Sequence, residues 1–518
     1  MIFDRNGELL AISKIVDSVY GTPDILKKHP ESIKALAEVL EIPANKIQTR
    51  VTRAHQKGKK FIWIKRRITQ TESRTLKKRK LKGIGFREEY KRFYPKGELA
   101  CHLLGYRGVD EQALAGIELT NDEYLMGESG YAIVPRDARQ RKLSSLELLQ
   151  QPPLSPGHNV YLTIDEVIQH IAEEELDRAC LKWWPKSATA IVMDPHTGEI
   201  LALANRPAFD PNNFNTSPAE IRCNQAIAYA YEPGSTLKPF TAAAALDRKL
   251  VTIQDEFFCE NGQFKIDNRT IHDHHPYAQL TFTQILSKSS NIGMVKVGLL
   301  LGRDAMYAYL REFGFGEKTG LGLAGETAGI ITPYYQWTDY TTTSVPMGHE
   351  IAVSTLQLTR AYCAFANGGW LIKPGIIAKI TDAANRPVKT FKSEAVRRVI
   401  RPKTAEQMKS ILIDVVNNGT GQAARLPYYQ IAGKTGTAQK IKPDGTYSHE
   451  KFRGMFAGFA PAKDPKIMVL VILDEPQGAY YGGTVAAPSV ARIIQKTLKY
   501  LRVPKRFHMA TGANHETK

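Results

Sequence analysis

After a short strand expected over 160–163, strand-forming sequence occurs in two sets, and the sets lie far apart in the chain. Residues 187–194 and 199–204 read as two short strands joined by Asp194-Pro195-His196-Thr197-Gly198, a hairpin signal. Residues 430–439, 455–460 and 467–473 read as three more. Between the sets the sequence is mostly helical in pattern, and a final helix is expected over 487–501. Strands drawn from both ends, with helices inserted between them, predict an α+β domain built on one antiparallel sheet.

The sequence ahead of this region has a different character. Asp4-Arg5-Asn6-Gly7 is a turn signal followed by a short apolar strand over 9–12, and 32–41 has helical periodicity closed by Ile42-Pro43. The run Gln150-Gln151-Pro152-Pro153-Leu154-Ser155-Pro156-Gly157-His158-Asn159 reads as a linker. The expected organisation is therefore a mixed α/β N-terminal domain over 1–150, a larger domain over 151–504, and a polar, disordered tail over 505–518. A chain of 518 residues has ample material for two cores. No run of 18 or more apolar residues occurs, so no stretch reads as membrane-spanning, and no secretory signal is visible. The five cysteines have no C-x-x-C spacing, which argues against a zinc ribbon or a dense disulfide framework.

Much of the formal charge of +18 sits in one block: between Arg53 and Lys96 there are seventeen Lys and Arg against three Glu. A solvated surface, with Lys77-Lys78-Arg79-Lys80 on an exposed helix end, is the plainest reading. Attraction to anionic lipid or acidic wall polymer comes next. Nucleic-acid binding is not expected, because no helix-turn-helix, zinc or aromatic-stacking motif accompanies the charge.

Chemistry concentrates at Glu232-Pro233-Gly234-Ser235-Thr236-Leu237-Lys238-Pro239. Pro233 and Gly234 break the chain, and the apolar, Ala-rich run after Lys238 continues as a helix whose first turn tolerates Pro239. Ser235 is thus expected near a helix N-terminus, where free N–H groups favour negative charge, with Lys238 one turn on. A serine hydroxyl becomes nucleophilic when a base takes its proton, and a desolvated lysine can be that base. Two further polar segments are candidate partners. Ser289-Ser290-Asn291 lies between two helical runs, where a loop or cap is the ordinary role. Lys434-Thr435-Gly436-Thr437 lies on an expected strand, where a cation beside two threonines suits a carboxylate and strand N–H groups can pair with a peptide.

The order Ser-x-x-Lys, Ser-x-Asn, Lys-Thr-Gly is that of the penicillin-recognising acyl-serine transferases. The chain resembles a class B penicillin-binding protein, and within that class the monofunctional, division-type (septal) peptidoglycan D,D-transpeptidases. The resemblance runs nearly end to end, through Asp4-Arg5-Asn6-Gly7, Arg92-Phe93-Tyr94-Pro95, Gly116-Ile117-Glu118, Leu162-Thr163-Ile164-Asp165, Asp210-Pro211-Asn212, Glu232-Pro233-Gly234-Ser235, residues 432–437 and Tyr480-Tyr481-Gly482-Gly483. It implies a transpeptidase domain with a five-stranded antiparallel sheet flanked by helices, preceded by a non-catalytic pedestal domain. It also implies cross-linking of stem peptides through an acyl-serine intermediate, with β-lactams as inhibitors. Ser235 would be the nucleophile, Lys238 its base and Ser289 a proton relay. Asn291, Lys434, Thr435, Gly436 and Thr437 would bind substrate, and the N–H groups of Ser235 and Thr437 would form the oxyanion hole. No metal or organic cofactor is expected, and the cluster His272-Asp273-His274-His275 reads as a polar loop at the site rim, because neighbours on an extended segment point apart. A serine D,D-carboxypeptidase, a β-lactamase or a catalytically idle division scaffold would share the motifs; the whole-chain resemblance and the intact motifs favour the transpeptidase.

Relatives of this type begin with a short cytoplasmic tail and one membrane helix, then an Arg-Gly before the Asp-Arg-Asn-Gly turn. This chain opens with Met1-Ile2-Phe3 directly ahead of that turn. The resemblance therefore leads us to expect a single-pass inner-membrane protein with its catalytic domain outside and its anchor upstream of Met1. Expected partners are membrane proteins of a division or elongation complex and a glycosyltransferase.

Overall fold

A computed structural model describes residues 1–127, 156–266, 269–442 and 444–505. Most of the expected linker (150–155) and all but the first residue of the expected tail lie outside the described residues. The described chain divides into two compact units.

The smaller unit gathers residues 9–95 and 107–113. Its long strand β1 (Leu9–Gly21) is followed by helices α1 (Pro30–Leu40) and α2 (Ala44–Gln56), strand β2 (Ile62–Lys65), helix α3 (Gln70–Arg79) and strand β3 (Ile84–Phe93). β1 pairs antiparallel with β3 from Ile12↔Phe93 to Gly21↔Ile84, and with β2 at its far end. Strand β1 is far longer than the apolar run 9–12, because its later residues mix polar and apolar side chains along a half-exposed ladder. One face of the helices is buried on the sheet, with Leu36, Leu40, Ile47, Val51 and Leu76 packed on Val19 and Ile64. Lys46, Arg50 and Arg53 occupy the outer face of α2, and Lys77, Lys78 and Arg79 are exposed on the last turn of α3, as expected. α3 begins with a capping box between Thr69 and Glu72.

The larger unit gathers residues 2–8, 96–106 and 114 onward. α4 (Glu166–Trp183) starts at Asp165, whose carboxylate accepts the N–H groups of Val167 and Ile168. Strands β4 (Ser187–Met193) and β5 (Ile200–Arg206) follow. Then come helices α5 (Lys238–Asp247), α6 (Phe282–Ser287), α7 (Asn291–Leu301), α8 (Thr355–Ala366) and α9 (Pro402–Asn417), with other elements between them. Strands β6 (Ala432–Ile441), β7 (Tyr447–Ala460) and β8 (Ile467–Asp474) precede helix α10 (Ala487–Tyr500).

These five strands form one antiparallel sheet, as the two separated sets of strand sequence predict, in the order β6-β7-β8-β4-β5. The central strands β8 and β4 are apolar almost without interruption because both faces are covered. On one face, Leu176 of α4 and Val490, Ile494 and Leu498 of α10 share a buried cluster with Val192, Val469 and Val471. On the other lies α8, buried along its whole length, with Cys363 Sγ 3.6 Å from Met193 Sδ.

α5 is buried in turn beside α8. The Phe240 ring meets the rings of Phe313, Tyr362 and Phe365 at 4.9, 5.1 and 5.2 Å between centroids. The small side chains Ala242, Ala243, Ala244 and Ala245 are fully buried, so neighbouring elements can approach the α5 backbone closely. A helix held this tightly gives the residues at its N-terminus a fixed platform, and that end lies against the edge strand β6.

Candidate active site

Ser235 lies in a single tight turn, Gly234–Thr236, that runs directly into α5, with Pro239 in the first helical turn. Gly234 has φ +52°, and a Cβ there would lie 2.8 Å from the carbonyl oxygen of Thr437. The serine turn and strand β6 therefore touch backbone to backbone, which requires glycine. Behind the turn, the Gly234 N–H donates to Gly348 O at 3.1 Å, and Gly348 also has a positive φ (+91°). Tyr362 secures the turn from below, its hydroxyl donating to Thr236 O at 2.7 Å.

Lys238 is fully buried. Its Nζ donates to Ser289 O at 2.7 Å and to Asn291 Oδ1 at 2.7 Å, and lies 3.3 Å from Ser289 Oγ. Burial pulls its pKa down to about 7, while the Asp273 carboxylate opposes the fall. A neutral amine has two hydrogens and one lone pair, so Ser289 O and Asn291 Oδ1 can take both hydrogens and leave the lone pair free to accept a proton.

Lys434, on β6, is also fully buried, and its Nζ donates to Ser289 Oγ at 2.9 Å. Burial first, and the charge of Lys238 second, hold its pKa well below the ordinary lysine value. Three segments distant in sequence thus converge on one hydroxyl. Thr435 Oγ1 is 2.7 Å from Thr420 Oγ1, and Thr437 Oγ1 accepts the Gly482 N–H at 3.2 Å. At Gly436 a Cβ would lie 2.6 Å from Thr236 Cγ2, a second point of close approach between strand and serine turn.

Ser289 adopts φ +60°, in the short break between α6 and α7. Ser290 caps α7 through its hydroxyl, which accepts the Gly293 N–H. Asp273 holds this break in place: Oδ2 accepts from Ser290 Oγ at 2.6 Å, and Oδ1 accepts the N–H groups of Asn291 and Ile292. Asn291 Nδ2 donates to His272 O at 2.9 Å, which turns Oδ1 toward Lys238. Asn291 Oδ1 thus orients the lysine, and the second Nδ2 hydrogen is left for the substrate contact expected of this amide.

Every residue singled out from the motifs, Ser235, Lys238, Ser289, Asn291 and 434–437, lies in this one locality. The sequence reading missed the part played by Asp273, which sits inside the His-rich loop considered for metal. Among the described residues, no three potential metal ligands form a cluster. His274 instead stacks edge-on against Tyr481 at 5.8 Å, beside the stacked pair Phe452 and Tyr480. A cleft of about 540 Å³ elsewhere in the larger unit, lined by Tyr124, Glu199, Lys373 and Lys389 among others, includes none of these residues. Its size does not outweigh the convergence of nucleophile, lysines and strand at Ser235.

Residues 188–495 match the penicillin-binding protein transpeptidase domain, and residues 1–162 match the penicillin-binding protein dimerisation domain. The chain is 35% identical to the peptidoglycan D,D-transpeptidase FtsI of Escherichia coli, covering 97% of this chain and 84% of that one. It is 34% identical to the probable peptidoglycan D,D-transpeptidase PenA of Neisseria meningitidis over the same shares. It is 35% identical to stage V sporulation protein D of Bacillus subtilis, covering 98% and 78%. Among solved structures, penicillin-binding protein 3 of Mycobacterium tuberculosis in complex with aztreonam is similar at a TM-score of 0.75 and 27% identity, covering 98% of this chain and 96% of that one.

Proposed function

The chain belongs to the penicillin-binding transpeptidases, and from that premise we propose how its residues divide the work of cross-linking peptidoglycan. It is a serine-type peptidoglycan D,D-transpeptidase that acts on stem peptides and binds β-lactams. One observation supports the division of roles best: Lys238, one turn on from Ser235, and Lys434, from a segment far away in sequence, both reach the Ser289 hydroxyl.

In the first step Ser235 Oγ attacks the carbonyl of the penultimate D-Ala of a donor stem, and its proton passes to neutral Lys238. The oxyanion formed is stabilised by the N–H groups of Ser235 and Thr437; losing one such donor costs on the order of 3 kcal/mol in comparable sites. The C–N bond then breaks, and Ser289 Oγ delivers the proton that the departing D-Ala nitrogen needs. Ser289 is reprotonated through Lys238 or Lys434. In the second step the amine of a neighbouring stem attacks the ester, loses its proton by the same relay and releases Ser235. Asn291 orients Lys238. Lys434, Thr435, Gly436 and Thr437 line the strand along which the donor peptide and its terminal carboxylate lie. Splitting one amide exchange into two ester steps needs only these side chains.

The smaller unit serves as the non-catalytic pedestal, within an N-terminal domain over 1–150 ahead of the transpeptidase domain over 151–504. The similarity to FtsI favours a place in septal wall synthesis, with membrane proteins of a division complex and a glycosyltransferase as partners. The similarity to FtsI favours a catalytic unit that works outside the inner membrane. Among the described residues, no helix is long and apolar enough to cross a membrane.

The test is product analysis with a D-Ala-D-Ala pentapeptide donor and an amine acceptor. The reading requires an amide product that grows with acceptor concentration and disappears in Ser235→Ala. Hydrolysis alone, at every acceptor concentration, would assign the site to a carboxypeptidase.

A further inference from the structure

Glu232 stands three residues before Ser235 and is only 8% exposed, yet no step above uses it. A buried carboxylate is costly unless its lone pairs are taken up. Here they are taken up by three partners. Oε1 accepts the Glu350 N–H at 2.8 Å and the Tyr447 hydroxyl at 3.0 Å, and Oε2 lies 3.0 Å from His349 Nδ1. The His349 and Tyr447 rings pack edge-on at 5.4 Å, which closes the group on its outer side.

We propose that Glu232 is a positioning residue for the nucleophile, holding the Ser235 turn between residues 348–350 and the start of β7. The proposal rests on Ser235 being the nucleophile. Residues 348–350 carry Gly348, whose carbonyl accepts the Gly234 N–H, and Glu350, a non-glycine residue at φ +58°. A left-handed Glu350 persists only where its surroundings over-determine it, and the bond from its N–H to Glu232 is one such constraint. Glu232 and Gly348 therefore grip the turn at successive points, on either side of Pro233.

The Tyr447 bond adds a second anchor. Tyr447 opens β7 and pairs with Ile441 at the far end of β6, the strand that carries Lys434 to Thr437. One carboxylate thus ties the nucleophile turn to the strand that faces it. Burial, then the Glu232 charge, pushes the Tyr447 hydroxyl well above its ordinary pKa, so it stays a donor. Of the polar groups nearby, Glu350 Oε2 accepts from Thr341 Oγ1, two nitrogens of Arg269 donate to Thr343 and Ser344, and Arg453 lies over the Tyr231 ring.

The experiment follows acylation by a fluorescent penicillin, resolved into the dissociation constant of the first complex and the rate constant of the chemical step. Wild type, Glu232→Ala, Glu232→Gln, Tyr447→Phe and His349→Ala are compared, with intact mass and thermal midpoint measured on each. Glu232→Ala should slow the chemical step by about tenfold to a hundredfold, the scale set by small misplacements of reacting groups, with the first complex little changed. Glu232→Gln should recover most of that rate, because its amide oxygen still accepts from Glu350 N and Tyr447 OH. Tyr447→Phe and His349→Ala should each lose a few-fold in the same constant, and they carry the test if Glu232→Ala does not fold. An unchanged chemical step in the folded variants, a loss confined to the first complex, or a Gln variant as slow as Ala would each overturn the proposal. A wild-type adduct on a residue other than Ser235 would instead overturn the assignment of the nucleophile on which it rests.

Discussion

Lys434 Nζ lies 2.9 Å from Ser289 Oγ, so the two buried lysines of the site address a single hydroxyl. Among the described residues, neither lysine has a carboxylate bonded to it in place of lost water, and each is easier to deprotonate than a lysine in solution.

The first consequence is a pH profile. Lys238 acts as a base only when neutral, and its pKa is about 7. The acylation rate constant should therefore rise as pH increases through 7 and level off above it. Stability responds to the same group in a defined window. Lys238 has an ordinary pKa near 10.5 when unfolded, so the unfolded chain binds more protons between about 7 and 10.5, and stability should rise with pH there. The penalty is complete below 7. A flat acylation profile between pH 6 and 8 would remove Lys238 as the base.

Asp273 raises the Lys238 pKa against the effect of burial. Asp273→Asn keeps an oxygen for the N–H groups of Asn291 and Ile292 but removes the charge. The rising limb of the acylation profile should move to lower pH, with the plateau retained. An unmoved limb would show that the carboxylate acts only as a helix cap.

Ser289→Ala deletes the shared hydroxyl while leaving Ser290 and Asp273 to hold the start of α7. Acylation should slow by about 10²-fold or more, the range for a lost proton-transfer group. Binding of the first complex should change far less, because Ser289 O still accepts from Lys238. Stopped-flow acylation separates the two constants.

Gly234→Ala tests the contact between the turn and β6. The new Cβ would meet Thr437 O at 2.8 Å on a residue with φ +52°. The turn would have to move off the strand, separating the two N–H groups proposed as the oxyanion hole. We expect near-complete loss of β-lactam labelling and a destabilisation of roughly 1–3 kcal/mol, measurable by denaturant unfolding.

The motif residues were legible because their chemistry is local: Ser235 and Lys238 share one turn, and the glycine at 436 on a strand signals close approach. The sheet was legible because the central strands β8 and β4 are covered on both faces and so are largely apolar. Strand β7 was expected from 455 but begins at Tyr447, since its first residues are polar and partly exposed and lack the apolar run that marks the rest. Asp273 was hidden for another reason. Its partners Ser290 and Asn291 are far along the chain, and a carboxylate among histidines suggests a metal before it suggests a cap. Glu232 was read only as part of a motif, because His349 and Tyr447 reach it through the fold and not through spacing.

The central claim is that Ser235 carries the acyl group, and the most direct measurement is intact mass after exposure to benzylpenicillin, followed by peptide mapping. The account predicts one added penicilloyl group, located on Ser235, stable over the course of the measurement and absent from Ser235→Ala. Full labelling of folded Ser235→Ala would contradict it.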